Sequence, residues 1–464
     1  LRLTLYPADA SVFDLDWQSD DTSILTVTED GVVTGVLEGT ATITVEDVVT
    51  GLSDSVDMTV QRWDHFQEMP VDSAAEYDAN SSGSLLVVET PSAEVFDPVS
   101  LQTVRTYYLR FAVRSSDGQW SDQIEVSSST AESWSVSCDG IMHESGDVTI
   151  IFHSANNMVS RTYEAPDFDS YSEEIIASYG SPDDVLRQTY VTASACADGS
   201  ITAVWEPPRK VDAASFVPGS GWTTPQTAYE DPYGPETWLN GFKASTTGRS
   251  ALATWSIFDQ SGPTHYNRIY ASFFRSDSAW GSSLDIPVWS ESAINDSGDA
   301  VLAWHGWEPD GAFARVYTEG EGWGETQLIA PDVDGWGSDV IQPRVVIDSA
   351  GTAAAVWHDS GATVANIFAP GTGWTGHKLL YEGDDPLGTN DYTEPNLVRA
   401  RDGLFVFFWY QGASRAYTTT WSSDVGWATR NSEAEYHGDV LFASDAEGTV
   451  FMIHDNTMAI GEFD

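Results

Sequence analysis

Six aromatic residues and five aspartates carry the chemistry that this sequence offers most plainly. Trp134, Tyr190, Trp238, Trp289, Trp307 and Trp336 stand in or beside stretches rich in Asp, Glu and Pro. A flat ring next to carboxylates suits a sugar: the C–H face stacks, and the hydroxyls donate to the acids. The competing role is structural, with the same rings plugging a channel or covering sheet edges. Asp332 and Asp334, followed by Gly335, and Asp384, Asp385 and Asp391, with Asn390, are hard oxygen donors of the kind calcium takes. Neither spacing is that of an EF-hand loop, and Asp-rich turns also arise by chance in so acidic a chain. No cofactor is required by these residues, and calcium is the one ion they suit.

Other reactive side chains are scarce. His153, His305, His358 and His454 each follow an apolar run, and only His305 and His358 fall in adjacent units. They read as residues that cap strand carbonyls at a loop entry. Cys138 and Cys196 are too few for a structural zinc site. They lie in neighbouring units and form either one disulfide or two free thiols. The sequence contains no Gly-x-Ser-x-Gly, His-Glu-x-x-His, Walker or dinucleotide motif.

The elements that must position these residues are strands. From residue 62 onward one pattern repeats: an apolar strand, an Asp-x-x-Gly turn, an Ala/Val strand ending in Trp, a loop, an aromatic strand, then Gly-Trp. The run from Gln342 to Trp357, continuing to Gly373-Trp374, is a clear instance. The turn glycine recurs at Gly83, Gly146, Gly199, Gly248, Gly298, Gly351, Gly403 and Gly448. About four short strands per unit are the signature of propeller blades. The last unit holds three strands, and the segment after residue 61 is available as the fourth. The expectation is an all-β chain with an eight-bladed β-propeller over 62–464, closed by pairing its two ends; seven blades is the alternative.

Within the repeat, Arg-x-Tyr recurs at Arg105, Arg161, Arg268, Arg315 and Arg415, in a chain with 20 Lys and Arg in all. A planar guanidinium can bridge neighbouring blades and stack on a ring, so this position reads as scaffold. The expected mouth of the channel is built from the loops between successive units, with 89–104 and 256–267 as the longest loops inside a unit.

Residues 1–61 have a different texture, with short alternating runs and Asp/Gly turns that read as a small β-sandwich. Trp17-Gln18-Ser19-Asp20-Asp21, Ile24–Val27, Gly31-Val32-Val33-Thr34-Gly35-Val36 and Gly39–Ile43 resemble the bacterial Ig-like group 2 family. That resemblance implies a spacer or stalk module of a bacterial surface protein, here starting at the family's second strand. The chain therefore reads as a processed form or a piece of a longer one. The propeller repeat is similar to sialidase-like, Asp-box propellers, with degenerate boxes at Ser115–Trp120 and Ser422–Trp427. It is closer to envelope repeat proteins without an assigned activity. A sialidase needs three arginines at matching points of three units, and the inner strands offer Arg187, Arg344 and Arg399 without that match. Sialidase activity is not expected.

Composition sets the outer limits. With 71 acidic against 20 basic residues, three of them lysines, the net charge is −51. Phosphate backbones need basic patches, so nucleic acid is excluded as a natural partner. No run approaches the length of a membrane span. Lysine depletion with acidic excess fits a solvent of high salt, halophilic or marine. The expected function is a non-catalytic, extracellular binding or adhesion domain on a microbial surface that recognises a glycan or a surface protein. The alternatives are a polysaccharide hydrolase or lyase using the same mouth, and a structural subunit of a surface filament or layer.

Overall fold

The computed structural model describes residues 15–28, 31, 33–35, 39–60, 67–71, 74–97, 102–129, 138–154, 156–179, 190–207, 210–230, 237–259, 266–277, 279–286, 290–307, 310–331, 343–359, 362–382, 395–411, 415–428, 431–432, 441–445, 449–454 and 457–462. The regular structure among them is all β-strand, and no helix there is long and apolar enough to cross a membrane. The chain divides into two compact units, Leu1–Phe66 with Ala459–Asp464, and Gln67–Met458.

In the first unit, Leu15–Ser19, Gly39–Asp47 and Leu52–Val60 form an antiparallel sheet, and Leu25–Val27 pairs with Val33–Gly35. The alternation along Gly39–Asp47 buries Ala41, Ile43 and Val45. Leu25, Ala41 and Ile43 make the core, with Trp17 packed against it. Gly31 takes a φ of 76°, and a Cβ there would lie 2.9 Å from the Trp17 ring. Both the conformation and the space demand glycine.

In the second unit, eight antiparallel sheets follow one another in sequence order among the described residues. The third shows the plan: Val191–Ala195, Ile201–Trp205, Lys210–Val217, the two-residue corner Gly221–Trp222, and Gln226–Glu230. The first strand of each sheet touches the first strand of the next. These inner strands are Ala74–Ala79, Cys138–Met142, Val191–Ala195, Thr237–Thr246, Glu291–Ile294, Arg344–Ile347, Asn396–Arg401 and Leu441–Ser444, and the eighth touches the first. In the last sheet, Thr457 and Met458 pair with Glu68 and Gln67, so Gln67–Glu68 is its outer strand.

Each second strand is buried on both faces, because a sheet packs against two neighbours. That is why Leu85–Val88 and Ala203–Trp205 read as continuous apolar runs rather than alternations. The core clusters join adjacent sheets: Leu86 and Val88 with Ile150 and Phe152, Leu252 and Phe273 with Leu302 and Trp304, Val356 and Ile367 with Phe407 and Trp409. Trp205, Trp255, Trp304, Trp357 and Trp409 lie buried in these layers; Trp205 ends its strand, while the other four strands run two to four residues further.

Polar bonds then lock sheet to sheet. The corner indoles of Trp222 and Trp280 donate back to the preceding sheet, to Ser160 Oγ at 2.8 Å and to the Gln226 carbonyl at 2.9 Å. Arg161 donates to the Val126 carbonyl of the preceding sheet and to Glu173 of its own, and its guanidinium lies over the Tyr171 ring at 4.5 Å. This is the bridging expected of the Arg-x-Tyr position. Arg315 instead donates Nε–H to Gly324 O at 2.6 Å within its own sheet. At the turns, Asn80 Nδ2 donates to His143 O and Asn295 Nδ2 to Asp348 O, each on the next sheet.

Three expectations are corrected. Segment 89–104 is not a loop: Ser92–Asp97 forms a strand that pairs with Gln102–Arg114. The 256–267 connection is shortened, because strands Ser250–Asp259 and Tyr266–Arg275 extend to the pair Asp259–Tyr266. His153 does not cap a carbonyl. It lies within Val148–Ser154, buried, with neither ring nitrogen hydrogen-bonded, stacked 6.0 Å from Tyr179. Burial pushes its pKa down to about 4, so it stays neutral and packs as an aromatic.

Candidate functional site: a polar cavity among the inner strands

Inner strands carry small residues, and that leaves space between them. A cavity of about 540 Å³ is bounded by seven of the eight inner strands or their turns. Its walls are hydroxyls and acids: Asp78, Asp139, Ser194, Ser245, Thr246, Ser292, Asn295 and Asp296, with Arg399. Many of these side chains also tie one inner strand to the next. Asp78 Oδ2 accepts from Met142 N–H at 2.9 Å, and Asp139 Oδ2 from Ala193 N–H at 2.6 Å. Ser194 and Thr246 share a bond of 2.8 Å, and Ser245 Oγ donates to Ser292 O at 2.6 Å. The first two junctions therefore use carboxylates where the next two use neutral hydroxyls.

One register level adjoins this cavity and is polar in six successive sheets. Asp139, Thr192, Lys243, Glu291, Arg344 and Asn396 each pair with the residue just before a buried aromatic of the second strand, Phe152, Trp205, Trp255, Trp304, Trp357 and Trp409 in turn. Glu291 sits between Lys243, which donates to it, and Arg344, at 3.6 Å. These bonds cross three adjacent inner strands. In this girdle the cations stand on the fourth and sixth sheets with Glu291 between them, and Asp139 is the acid of the second sheet, beside Glu76 and Asp78 of the first.

That acidic side is electrostatically stressed. Burial is the largest cause for each group there. It raises Glu76 and Asp78 to about 7, and Asp139 well above the usual carboxylate range, with Glu76 adding repulsion. Backbone N–H groups pull Asp78 and Asp139 back without cancelling the effect. Burial also raises Tyr77, which senses both Glu76 and Arg344. The chemistry available is dense hydrogen bonding by acceptors and hydroxyls, with a few fixed cations.

Of the aromatic and aspartate residues singled out from sequence, the three that are described, Tyr190, Trp238 and Trp307, do not line this cavity. Trp134, Trp289, Trp336, Asp332, Asp334, Asp384, Asp385 and Asp391 lie outside the described residues. Trp238 is the second residue of Thr237–Thr246, and Trp307 ends Ala300–Trp307, where it pairs with Asp310. Tyr190 immediately precedes the third inner strand and is 53% exposed. Among the described residues, no cluster of three or more His, Cys, Asp or Glu forms a metal site. The disulfide is corrected: Cys138 and Cys196 are both free thiols. With Asp139 beside Ala193, Cys138 starts its strand while Cys196 lies past the end of the next, about 13 Å along the strand direction. A disulfide tolerates a Cα separation of only about 7 Å.

The girdle itself was missed in the sequence. Its signal was present: in six successive units a polar residue stands at one fixed place of the inner strand.

Comparison with known proteins bears first on the N-terminal part. Residues 1–56 match the family model of the bacterial Ig-like domain, group 2. The α-L-arabinofuranosidase of Bifidobacterium longum is 32% identical over 94 residues, 20% of this chain and 8% of that enzyme. The matched part is thus a small fraction of that protein. Similar solved structures include β-propellers. The propeller domain of the Trilobed protease from Pyrococcus furiosus, described as having an open velcro topology, is 9% identical, covers 81% of this chain and 96% of its own, and has a TM-score of 0.40. Aleuria aurantia lectin, solved with Fucα1-6GlcNAc, is 10% identical over 65% of this chain and 96% of its own, with a TM-score of 0.33. AofleA from Arthrobotrys oligospora is 12% identical over 70% and 91%, with a TM-score of 0.31.

Proposed function

We propose that the second unit is an eight-bladed propeller, closed through the pairing of Gln67–Glu68 with Thr457–Glu462, and that it binds a glycan without cleaving it. Residues 1–61 are then an Ig-like spacer that carries it on the outside of a microbial cell. The closure reading draws on the order of contacts among the inner strands, which returns from the eighth to the first. The observation that carries the binding reading is the cavity of about 540 Å³ walled by hydroxyls and carboxylates next to the Lys243–Glu291–Arg344 girdle. Such a wall offers many acceptors, some hydroxyls that both donate and accept, and few fixed cations. That balance matches a polyhydroxylated ligand better than an anion or an apolar molecule. The acidic surface follows as an adaptation to salt, and calcium at the Asp332–Asp334 and Asp384–Asp391 loops is an optional addition.

The test is a glycan array probed with the full chain in high salt, with and without calcium. Specific retention of a glycan family is the expected result, and it should weaken in Lys243→Ala and Arg344→Ala. Absence of retention under every condition would overturn the reading. A hydrolase or lyase would instead release a product from the array.

A further inference from the structure

Aligned by register, the residues that wall the inner-strand cavity lie at the girdle or on one side of it. The lining starts at Asp139 and reaches Glu144, Thr247 and Asp296, which stand in the tight turns between first and second strands. Tyr190 and Trp238 stand at the other end of their inner strands. The cavity is thus approached from the turn face, and the Lys243–Glu291–Arg344 contacts lie at its inner end.

Four acids wall this space, Asp78, Asp139, Glu144 and Asp296, against one cation, Arg399. Arg399 is itself 3.7 Å from Asp402. Lys243 and Arg344 are set against Glu291. The two most buried acids meet backbone donors and other acids. Asp78 accepts from the Ala79 and Met142 N–H groups and faces Glu144; Asp139 accepts from Ala193 N–H and faces Glu76 and Asp78. Their other titratable neighbours, Tyr77 and Cys138, are kept neutral by burial. Among the described residues no cation is set against either acid. A positive charge brought into the cavity would supply what burial has taken away.

We propose that the glycan bound here carries a free amine: a hexosamine residue enters the cavity from the turn face and sets its ammonium against Asp78 and Asp139. The proposal rests on the glycan reading above and names the chemistry of that ligand. The cavity of about 540 Å³ lies within the range of small-molecule sites. The ammonium forms charge-assisted hydrogen bonds to the two carboxylates, and the ring hydroxyls donate to the Ser194, Ser245 and Thr246 oxygens. An N-acetyl group would put a neutral amide in place of the cation and leave the buried acids uncompensated.

The experiment is calorimetric titration of the full chain in high salt, at about pH 6 where amines are protonated. The ligands are glucosamine, N-acetylglucosamine and glucose, each alone and as a short oligomer. The amine should bind about tenfold or more tighter than the other two, the worth of one charge-assisted hydrogen bond. Its binding should release protons to the buffer, since an ammonium beside Asp78 lowers a carboxyl that burial holds at about 7. Asp78→Asn and Asp139→Asn keep acceptors for the Met142 and Ala193 N–H groups, and each should narrow the preference to about threefold or less. The inference is overturned if N-acetylglucosamine or glucose binds as tightly as the amine, if binding releases no proton, or if both variants keep the full preference; the glycan reading stands in each case. Butylamine brings the charge without the ring, and binding as tight as that of glucosamine would also overturn it. If no sugar of the set binds, the inference falls, and the glycan reading falls with it only when the array too retains nothing.

Discussion

At the scale of the residue, the buried acids make a sharp statement about pH. Asp78, Glu76 and Asp139 are all raised by burial. A raised acid contributes stability that is complete below its unfolded pKa of about 4 and is lost as pH rises through its folded value, about 7 for Asp78. Denaturant unfolding should therefore show the second unit weakening between about pH 4 and pH 7. Asp78→Asn keeps an acceptor for the Met142 N–H and removes the buried charge. It should raise stability at pH 8 by about 1–3 kcal/mol and flatten the profile. A steeper profile, or a loss of stability at pH 8, would contradict this. Salt separates the effect from general surface repulsion, since added salt screens exposed charges and leaves the buried penalty in place. None of this was visible in the sequence. Asp78 and Asp139 look like ordinary strand aspartates until the packed inner strands bury them and bring Asp139 beside Glu76.

At the scale of the element, the repeat was legible because strand, turn and corner each leave a fixed residue. The buried second strands give apolar runs ending in Trp, and the turns give Gly. Gly248 is a turn glycine held for space rather than for φ. A Cβ there would lie 2.1 Å from the Cys196 amide nitrogen and 2.6 Å from the Ser200 carbonyl oxygen. Gly248→Ala should cost about 3 kcal/mol or more, because backbone must move, and thermal unfolding measures it. Trp357→Ala, which empties a layer shared by the fifth and sixth sheets, should cost about 3–5 kcal/mol. What the pattern did not reveal is how far hairpins extend. Asp259 and Tyr266 still pair, and Ser92–Asp97 is a strand, because main-chain pairing continues past the apolar residues that mark it in the sequence. The cysteine pair failed for a related reason: adjacency of units is readable, but position along the strand depends on register.

At the scale of the whole molecule, 71 acids against 20 bases make self-repulsion a bulk property. Raising NaCl from about 0.1 M to about 1 M cuts the Debye length from about 10 Å to about 3 Å, so the melting temperature should rise clearly. An unchanged melting temperature would count against the salt-adapted surface. The same scarcity of cations gives Lys243 and Arg344 weight: in a chain with three lysines, one stands on an inner strand against Glu291. The sequence predicted binding at aromatic loops, and most of those loops lie outside the described residues. The cavity and girdle emerged only when six inner strands could be aligned by register. The most direct measurement of the central claim is isothermal titration of the full chain in high salt with its best array glycan, followed by analysis of the recovered sugar. The account predicts saturable heat, weakened by Arg344→Ala, and the glycan recovered intact. No heat, or a cleaved glycan, would contradict it.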